Sequence, residues 1–184
     1  MRVISGYLKG REILGYNIET TRPTMARVKE SMFASIQNDI KDSIVLDLFC
    51  GSGSLGIEAI SMGASKCYFV DNNKDIIKYL KKNIDNFNIK DKSIIVDKDY
   101  KVSLKYFYDN NIKFDIILVD APYKMKVMEE VIELINKYSL LTNNGLLVLE
   151  YSFDELEDKY DTLELIKHKK YSDKCVNIYR KVID

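Results

Sequence analysis

The sequence predicts an α/β fold: a doubly wound, mostly parallel seven-stranded sheet ending in an antiparallel hairpin, preceded by a small N-terminal β-hairpin and a helix. Three observations predict it. From residue 42 onward, short β-rich apolar runs alternate with amphipathic helical stretches, the pattern of parallel strands joined by right-handed crossovers. The first of these runs leads into a glycine-rich turn that opens a helix. After Glu150 the alternation stops, and two β-rich runs follow one another across Tyr171-Ser172-Asp173.

In chain order, Arg2–Ser5 and Arg11–Leu14 flank Gly6 and Gly10 as the expected N-terminal hairpin. Pro23 precedes a helical run from Met25 to Ile36, with Thr24 suited to its N-cap. Parallel strands are expected at Ser43–Leu48, Lys66–Val70, Ser93–Val96, Phe114–Val119 and Leu146–Tyr151. Helices are expected between them at Leu55–Met62, Lys74–Phe87, Val102–Tyr108 and Lys126–Tyr138. Asp161–Lys170 and Lys174–Val182 form the terminal hairpin. The chain thus divides into an extension, residues 1–41, and a main domain, residues 42–184.

With 184 residues, 46% hydrophobic and 30% charged, the chain suits one folded domain with a short appendage. Apolar runs such as Ile116–Val119 and Leu146–Leu149 fall far short of the roughly 18 residues needed to span a bilayer. The opening MRVISGYLKG lacks the apolar core of a secretory leader, so a cytoplasmic location is expected. Cys50, Cys67 and Cys175 form no CxxC pair and have no histidine nearby, which points to neither a disulfide nor a metal site. His168, the single histidine, reads as a surface residue of the terminal hairpin.

Basic and acidic residues balance at 28 each, but unevenly along the chain. Residues 1–41 carry seven basic and four acidic residues, and residues 167–184 six and two. Basic ends on an acidic body are compatible with phosphate contacts at those ends.

The chemistry concentrates at predicted strand ends. Strand one runs through Asp47 into Phe49-Cys50-Gly51-Ser52-Gly53-Ser54-Leu55-Gly56, where glycines let the backbone turn sharply and approach a ligand. Strand two ends at Asp71, followed by Asn72, where a carboxylate can accept both hydroxyls of a ribose. Together these features indicate a nucleoside cofactor, held by Asp47, Phe49, Gly51, Ser52, Gly53, Asp71 and Asn72. The spacing also satisfies a nicotinamide dinucleotide pattern. Asp47 favours S-adenosylmethionine over the dinucleotide, since an acid is unhelpful beside a pyrophosphate and sensible beside the ammonium of S-adenosylmethionine, and the chain offers no second domain with a hydride-transfer histidine or tyrosine. At the exit of strand three, Asp97 and Asp99 are both candidates for the adenine amino group, with Asp99 and Tyr100 favoured.

Strand four ends in Asp120-Ala121-Pro122-Tyr123, at the sheet edge where such folds bind substrates. An exocyclic amine on a base is a poor nucleophile because its lone pair is delocalised. Asp120 and the Ala121 carbonyl can each accept one of its N–H groups and turn the lone pair toward a methyl donor, with Tyr123 stacked on the ring.

These motifs resemble the bacterial 16S ribosomal RNA guanine-N2 methyltransferases, single-domain enzymes of the Rossmann-like class I methyltransferase fold. The family's D-L-F-x-G-S-G-x-L-G-x-E-A motif is met from Asp47 to Ala59, Glu58 included. Its N-terminal pattern is met by Arg2-Val3-Ile4, Gly6, Gly10-Arg11, Arg22-Pro23-Thr24, Arg27-Val28-Lys29-Glu30 and Met32-Phe33. Ala121 departs from the family's usual proline, but because it precedes Pro122 its backbone stays biased toward extended conformations.

The resemblance implies methyl transfer from S-adenosylmethionine to N2 of a guanine in small-subunit ribosomal RNA, within an assembling 30S particle or as free RNA. It also implies RNA contacts by Arg2, Lys9, Arg11, Arg22 and Arg27. A monomer is the simplest expectation. The strand-four motif alone leaves open other planar amines, such as adenine N6 in DNA or a glutamine amide, and a non-catalytic RNA-binding role. A cytosine-C5 reaction is excluded, since Cys50 sits in the cofactor loop and not at the substrate edge.

Overall fold

The computed structural model describes residues 1–16, 23–122, 126–152 and 155–182. The elements in order are α1 (Pro23–Ile40), β1 (Ile44–Leu48), α2 (Ser54–Ser61), β2 (Lys66–Asp71), α3 (Lys74–Asn86), a 3₁₀ turn (Lys90–Lys92), β3 (Ser93–Asp97), α4 (Tyr100–Asp109) and β4 (Phe114–Asp120). They continue with α5 (Met128–Lys137), β5 (Leu141–Tyr151), β6 (Lys159–Tyr160), β7 (Leu163–Tyr171) and β8 (Lys174–Lys181). The strands form one sheet in the order β3-β2-β1-β4-β5-β8-β7-β6. β1 to β5 pair in parallel, and β8, β7 and β6 add in antiparallel fashion. The chain winds outward from β1 in one direction to β3 and in the other from β4 to β5. The crevice between β1 and β4 is therefore the switch point where open α/β sheets bind ligands.

Strand residues alternate between two cores. In β4, Ile116 and Leu118 join the cluster that α1, α2 and α3 cover, while Ile117 and Val119 join the one under α4 and α5. Both sheet faces are therefore dry, which is why these strands read as continuous apolar runs. Helix spacing matches: Ile77, Leu80 and Ile84 bury one stripe of α3, and Met128, Val131, Ile132 and Ile135 one stripe of α5.

Three differences from expectation have physical causes. The N-terminal hairpin is short: its arms meet at one antiparallel bridge, Arg2 to Glu12, with Val3 N donating to Arg11 O at 3.0 Å, Gly10 N to Val3 O at 2.8 Å and Ile13 N to Met1 O at 2.9 Å, and beyond Val3 its donors turn to α2. Ile4 N and Ser5 N donate to the Glu58 carboxylate, each at 2.9 Å, and Tyr7 N donates to the Ser61 carbonyl at 3.1 Å. Gly6 permits this docking, since a Cβ there would lie 1.9 Å from Ser61 O. Second, α1 begins at Pro23, so Thr24 lies within its first turn and not at the cap; the helix continues to Ile40, whose side chain is fully buried one turn beyond Ile36. Third, an eighth strand, β6, pairs two residues with β7, too short a run to register in sequence.

Val3, Leu8 and Ile13 share their apolar cluster with α1 and the sheet, so the first residues are built into the main core. Among the described residues, no helix is long and apolar enough to cross a membrane.

Candidate active site

At the carboxyl ends of β1, β2 and β4 a cleft of 460 Å³ opens, within the range of small-molecule sites. The strand-end rule brings most of the expected residues to its wall: Phe49, Gly51, Asp71, Asn72, Asp99 and Tyr100, with Asp120, Ala121 and Pro122 opposite. Asp47 borders an adjoining recess of 170 Å³ that shares Phe49, Gly51 and Asp120 with the main cleft. Ser52 and Gly53 border neither cavity; they lie behind the loop. Ser52 is 2% exposed and its carbonyl accepts from Asn83 Nδ2 at 2.9 Å, while a Cβ on Gly53 would meet Leu80 Cδ1 at 2.5 Å. Of the two strand-three candidates, Asp99 borders the cleft and Asp97 does not.

The loop is pre-organised by its neighbours. Asp71 accepts from Gly51 N through Oδ2 and from Asn73 N through Oδ1, each at 2.9 Å. Each oxygen keeps a further lone pair for a ribose hydroxyl. Phe49 is held at φ 58°, a left-handed conformation uncommon for a bulky residue and characteristic of functional loops. Its ring packs against Tyr100, centroids 5.1 Å apart, and the Tyr100 hydroxyl donates to Glu130 at 2.7 Å. Asp99 caps α4 by accepting from Lys101 N at 2.8 Å.

Gly51 is different in kind from Gly53 and Gly56. A Cβ on Gly56 would sit 2.4 Å from Phe69 Cε1, so that glycine serves helix-to-strand packing. A Cβ on Gly51 would meet nothing nearer than Ile76 Cγ2 at 3.9 Å, so the space left by its missing side chain belongs to the cleft. That cradle, with a carboxylate at each of the β1 and β2 ends, fits the nucleoside and amino-acid parts of S-adenosylmethionine.

The site's carboxylates are electrostatically poised. Asp47 is pushed up to about 8, chiefly by burial, against the Gly56 N–H that donates to it at 2.9 Å. A ligand ammonium would favour its charged form. Asp120 is pushed up to about 7 by burial and by Glu150 beside it, opposed by Lys174.

Four residues with no role assigned from sequence complete the site. Glu150, at the end of β5, borders both cavities and pairs with Lys174 Nζ at 2.9 Å. The same strand-end rule that marks Asp71 and Asp120 would have found it. Lys29 and Glu58 form an ion pair at 2.9 Å, 3% and 1% exposed, that ties α1, α2 and the N-terminal segment together; in sequence they are only letters of a motif. Of the expected RNA contacts, Arg2, Lys9, Arg11 and Arg27 are exposed. Arg11 donates to Asn86 O at 2.6 Å and stacks over Phe87 at 4.8 Å. Arg22 and Tyr123 lie outside the described residues.

The profile of the family described as conserved hypothetical protein 95 matches residues 1–180. The chain belongs to this family. It is 35% identical over 182 residues to a Bacillus subtilis (strain 168) protein provisionally named rRNA methyltransferase YlbH, covering 98% of this chain and 99% of that one. It is 32% identical over 169 residues to ribosomal RNA small subunit methyltransferase D of Haemophilus influenzae, covering 92% and 88%. An Escherichia coli structure provisionally described as a methyltransferase superposes with a TM-score of 0.86 over 100% of this chain and 99% of that one, at 24% identity. Fold and family are those of S-adenosylmethionine-dependent class I methyltransferases.

The Gly51 cradle has a testable consequence. Gly51→Ala is expected to melt within a few degrees of the parent, because the left-handed φ of 55° costs an alanine about 1 kcal/mol and nothing is struck. Isothermal titration should nevertheless show S-adenosylmethionine binding at least about tenfold weaker, the equivalent of about 1.4 kcal/mol of lost contact. Unchanged affinity would mean that the ligand does not approach this backbone.

Proposed function

We propose that this protein transfers a methyl group from S-adenosylmethionine to the exocyclic N2 amine of a guanine in small-subunit ribosomal RNA. The observation that carries the reading is the placement of Asp120, Ala121 and Pro122 on the same cleft as Gly51, Asp71 and Asp99, across the switch point. Relatives named as ribosomal RNA methyltransferases support the substrate class.

Bound S-adenosylmethionine supplies an electrophilic methyl group. Asp71 would hold the ribose hydroxyls, Asp47 the ammonium and Asp99 the adenine amine, with Phe49 and Tyr100, packed on each other, lining one wall beside the ring. Asp120 and the Ala121 carbonyl accept the two N–H groups of the guanine amine, which turns its lone pair out of the ring plane. Ala121 is half-buried against the apolar cluster beneath α4 and α5, so packing steadies the carbonyl that the usual proline would stiffen. Tyr123 stacks on the flipped-out base. Once the nitrogen has taken the methyl, its surplus proton passes to Asp120 or to water. A carboxyl group near 7 suits both holding the amine and receiving that proton. Residues 1–41 serve as the RNA-contacting extension, with Arg2, Lys9, Arg11, Arg22 and Arg27 on phosphate or bases.

The test is labelling. Purified protein, tritiated S-adenosylmethionine and small-subunit RNA from cells lacking the enzyme, free or as partly assembled particles, are incubated and the RNA digested. Label in N2-methylguanosine is expected. Label only in another nucleoside, in DNA or in protein would overturn the reading.

A further inference from the structure

We infer that Glu150, held in place by Lys174, reads the ring N1–H of the target guanine and so makes this site choose guanine over the other amine-bearing bases. The inference rests on the proposed function and adds a determinant of specificity to it.

Glu150 is the register partner of Asp120 across β4 and β5, so two carboxylates stand side by side at the carboxyl edge of the sheet. Both border the main cleft and the recess beside it. Glu150 is 7% exposed, and Lys174, the first residue of β8, donates to its Oε1 at 2.9 Å from the cleft wall. This ammonium offsets the repulsion between the two acids and fixes the direction of the Glu150 carboxylate. Asp120 and the Ala121 carbonyl suffice to hold an exocyclic amine, which leaves the second carboxylate without a task in orienting it.

The bases supply that task. Adenine, cytosine and guanine carry exocyclic amines. In adenine and cytosine the one ring nitrogen next to the amine is an unprotonated acceptor; guanine's amine lies between N3, also an acceptor, and N1, which alone among these positions carries a proton to donate. A charged carboxylate is an acceptor alone. Beside Asp120 it accepts guanine N1–H, whereas adenine N1 or cytosine N3 would oppose a lone pair to a buried charge. A site built to pair with a donor rejects analogues that lack it far more strongly than a shape-based pocket does.

The alternative is that the Glu150–Lys174 pair only braces the seam between β5 and β8. A cycle of variants against base analogues separates the two. Protein with S-adenosylmethionine is assayed on small-subunit RNA carrying either guanine or 2-aminopurine at the methylated position; the analogue keeps the N2 amine and replaces N1–H with an acceptor. Glu150→Gln, which keeps an amide oxygen but removes the charge, is expected to lower kcat/KM on guanine RNA roughly tenfold, the gap between a charged and a neutral hydrogen bond, and on 2-aminopurine RNA less than about twofold. The inhibition constant of 2-aminopurine RNA against guanine RNA, measured in both proteins, reads the same coupling if turnover on the analogue is slow. S-adenosylmethionine affinity within about twofold of the parent certifies the folded site. If Glu150→Gln alone fails that check, the double variant Glu150→Gln with Lys174→Met removes the stranded charge and takes its place in the cycle. Equal losses on both RNAs, or no loss on guanine RNA, would overturn the role of Glu150 while N2-methylguanosine formation by the parent still stands. Absence of N2-methylguanosine with the parent itself would instead sink the proposed function, and this role with it.

Discussion

Asp120→Asn is expected to lower kcat/KM for RNA methylation by about a hundred- to a thousandfold, the scale of losing a pre-organised charged partner of a reacting group. Its affinity for S-adenosylmethionine should change less than about twofold, because in the proposed reaction Asp120 holds the substrate amine and not the cofactor. The pH profile adds a signature. Only the carboxylate can accept an amine N–H and later its proton, and the Asp120 carboxyl is pushed up to about 7. The parent's kcat/KM should therefore fall about tenfold per pH unit below about 7 and level off above it, and this limb should vanish in the variant. Stability moves in the opposite direction. A carboxyl raised in the folded state favours folding while protonated, a contribution fully present below the ordinary value of 3.8 and lost as pH rises through about 7. At pH 8 Asp120→Asn should melt above the parent, and toward pH 4 the difference should close. Full activity in the variant, with an unchanged profile, would remove Asp120 from the reaction.

The largest expected loss of stability comes from Lys29→Met. Lys29 Nζ pairs with Glu58 Oε1 at 2.9 Å and also donates to Ser54 Oγ at 3.0 Å and to the Arg2 carbonyl at 3.1 Å. Burial drives the Lys29 ammonium downward, and the neighbouring Glu58 carboxylate is what keeps it charged. Removing it strands a carboxylate that is 1% exposed and still holds the backbone of Ile4 and Ser5. Breaking such a pair costs about 3–5 kcal/mol. At a urea dependence of about 2 kcal/mol per molar, the unfolding midpoint should drop by roughly 1.5–2.5 M. Lys29→Met with Glu58→Gln should be more stable than Lys29→Met alone, since no unpaired charge remains. A single-variant loss below about 1 kcal/mol would show that water reaches this pair.

Much of the site was legible because strand ends obey a simple rule. Where apolar runs mark parallel strands, the residues that follow them must gather at one edge of the sheet, so Asp47, Asp71, Asp99 and Asp120 could be assembled from one dimension. Glu150 obeys the same rule, but no glycine or proline turn follows it to mark the strand end in the sequence. Ser52 and Gly53 show the opposite case. Their motif marks a tight loop, but a motif does not say which of its residues face the ligand and which face Leu80 and Asn83.

Alone, the sequence determined the order of strands and helices, the two-sided burial of the sheet and the acidic identity of its ligand edge. These follow from periodicity, turn residues and handed crossovers, all of them local properties of the chain. Tertiary structure alone decided that Asp120 and Glu150 are neighbours, that Lys174 reaches in from 24 positions away to pair with Glu150, and that Lys29 and Glu58 dock the N-terminal hairpin onto α2. Charges that meet across long separations leave no periodic trace. Burial and register, which only the packed sheet supplies, set their partners and their protonation.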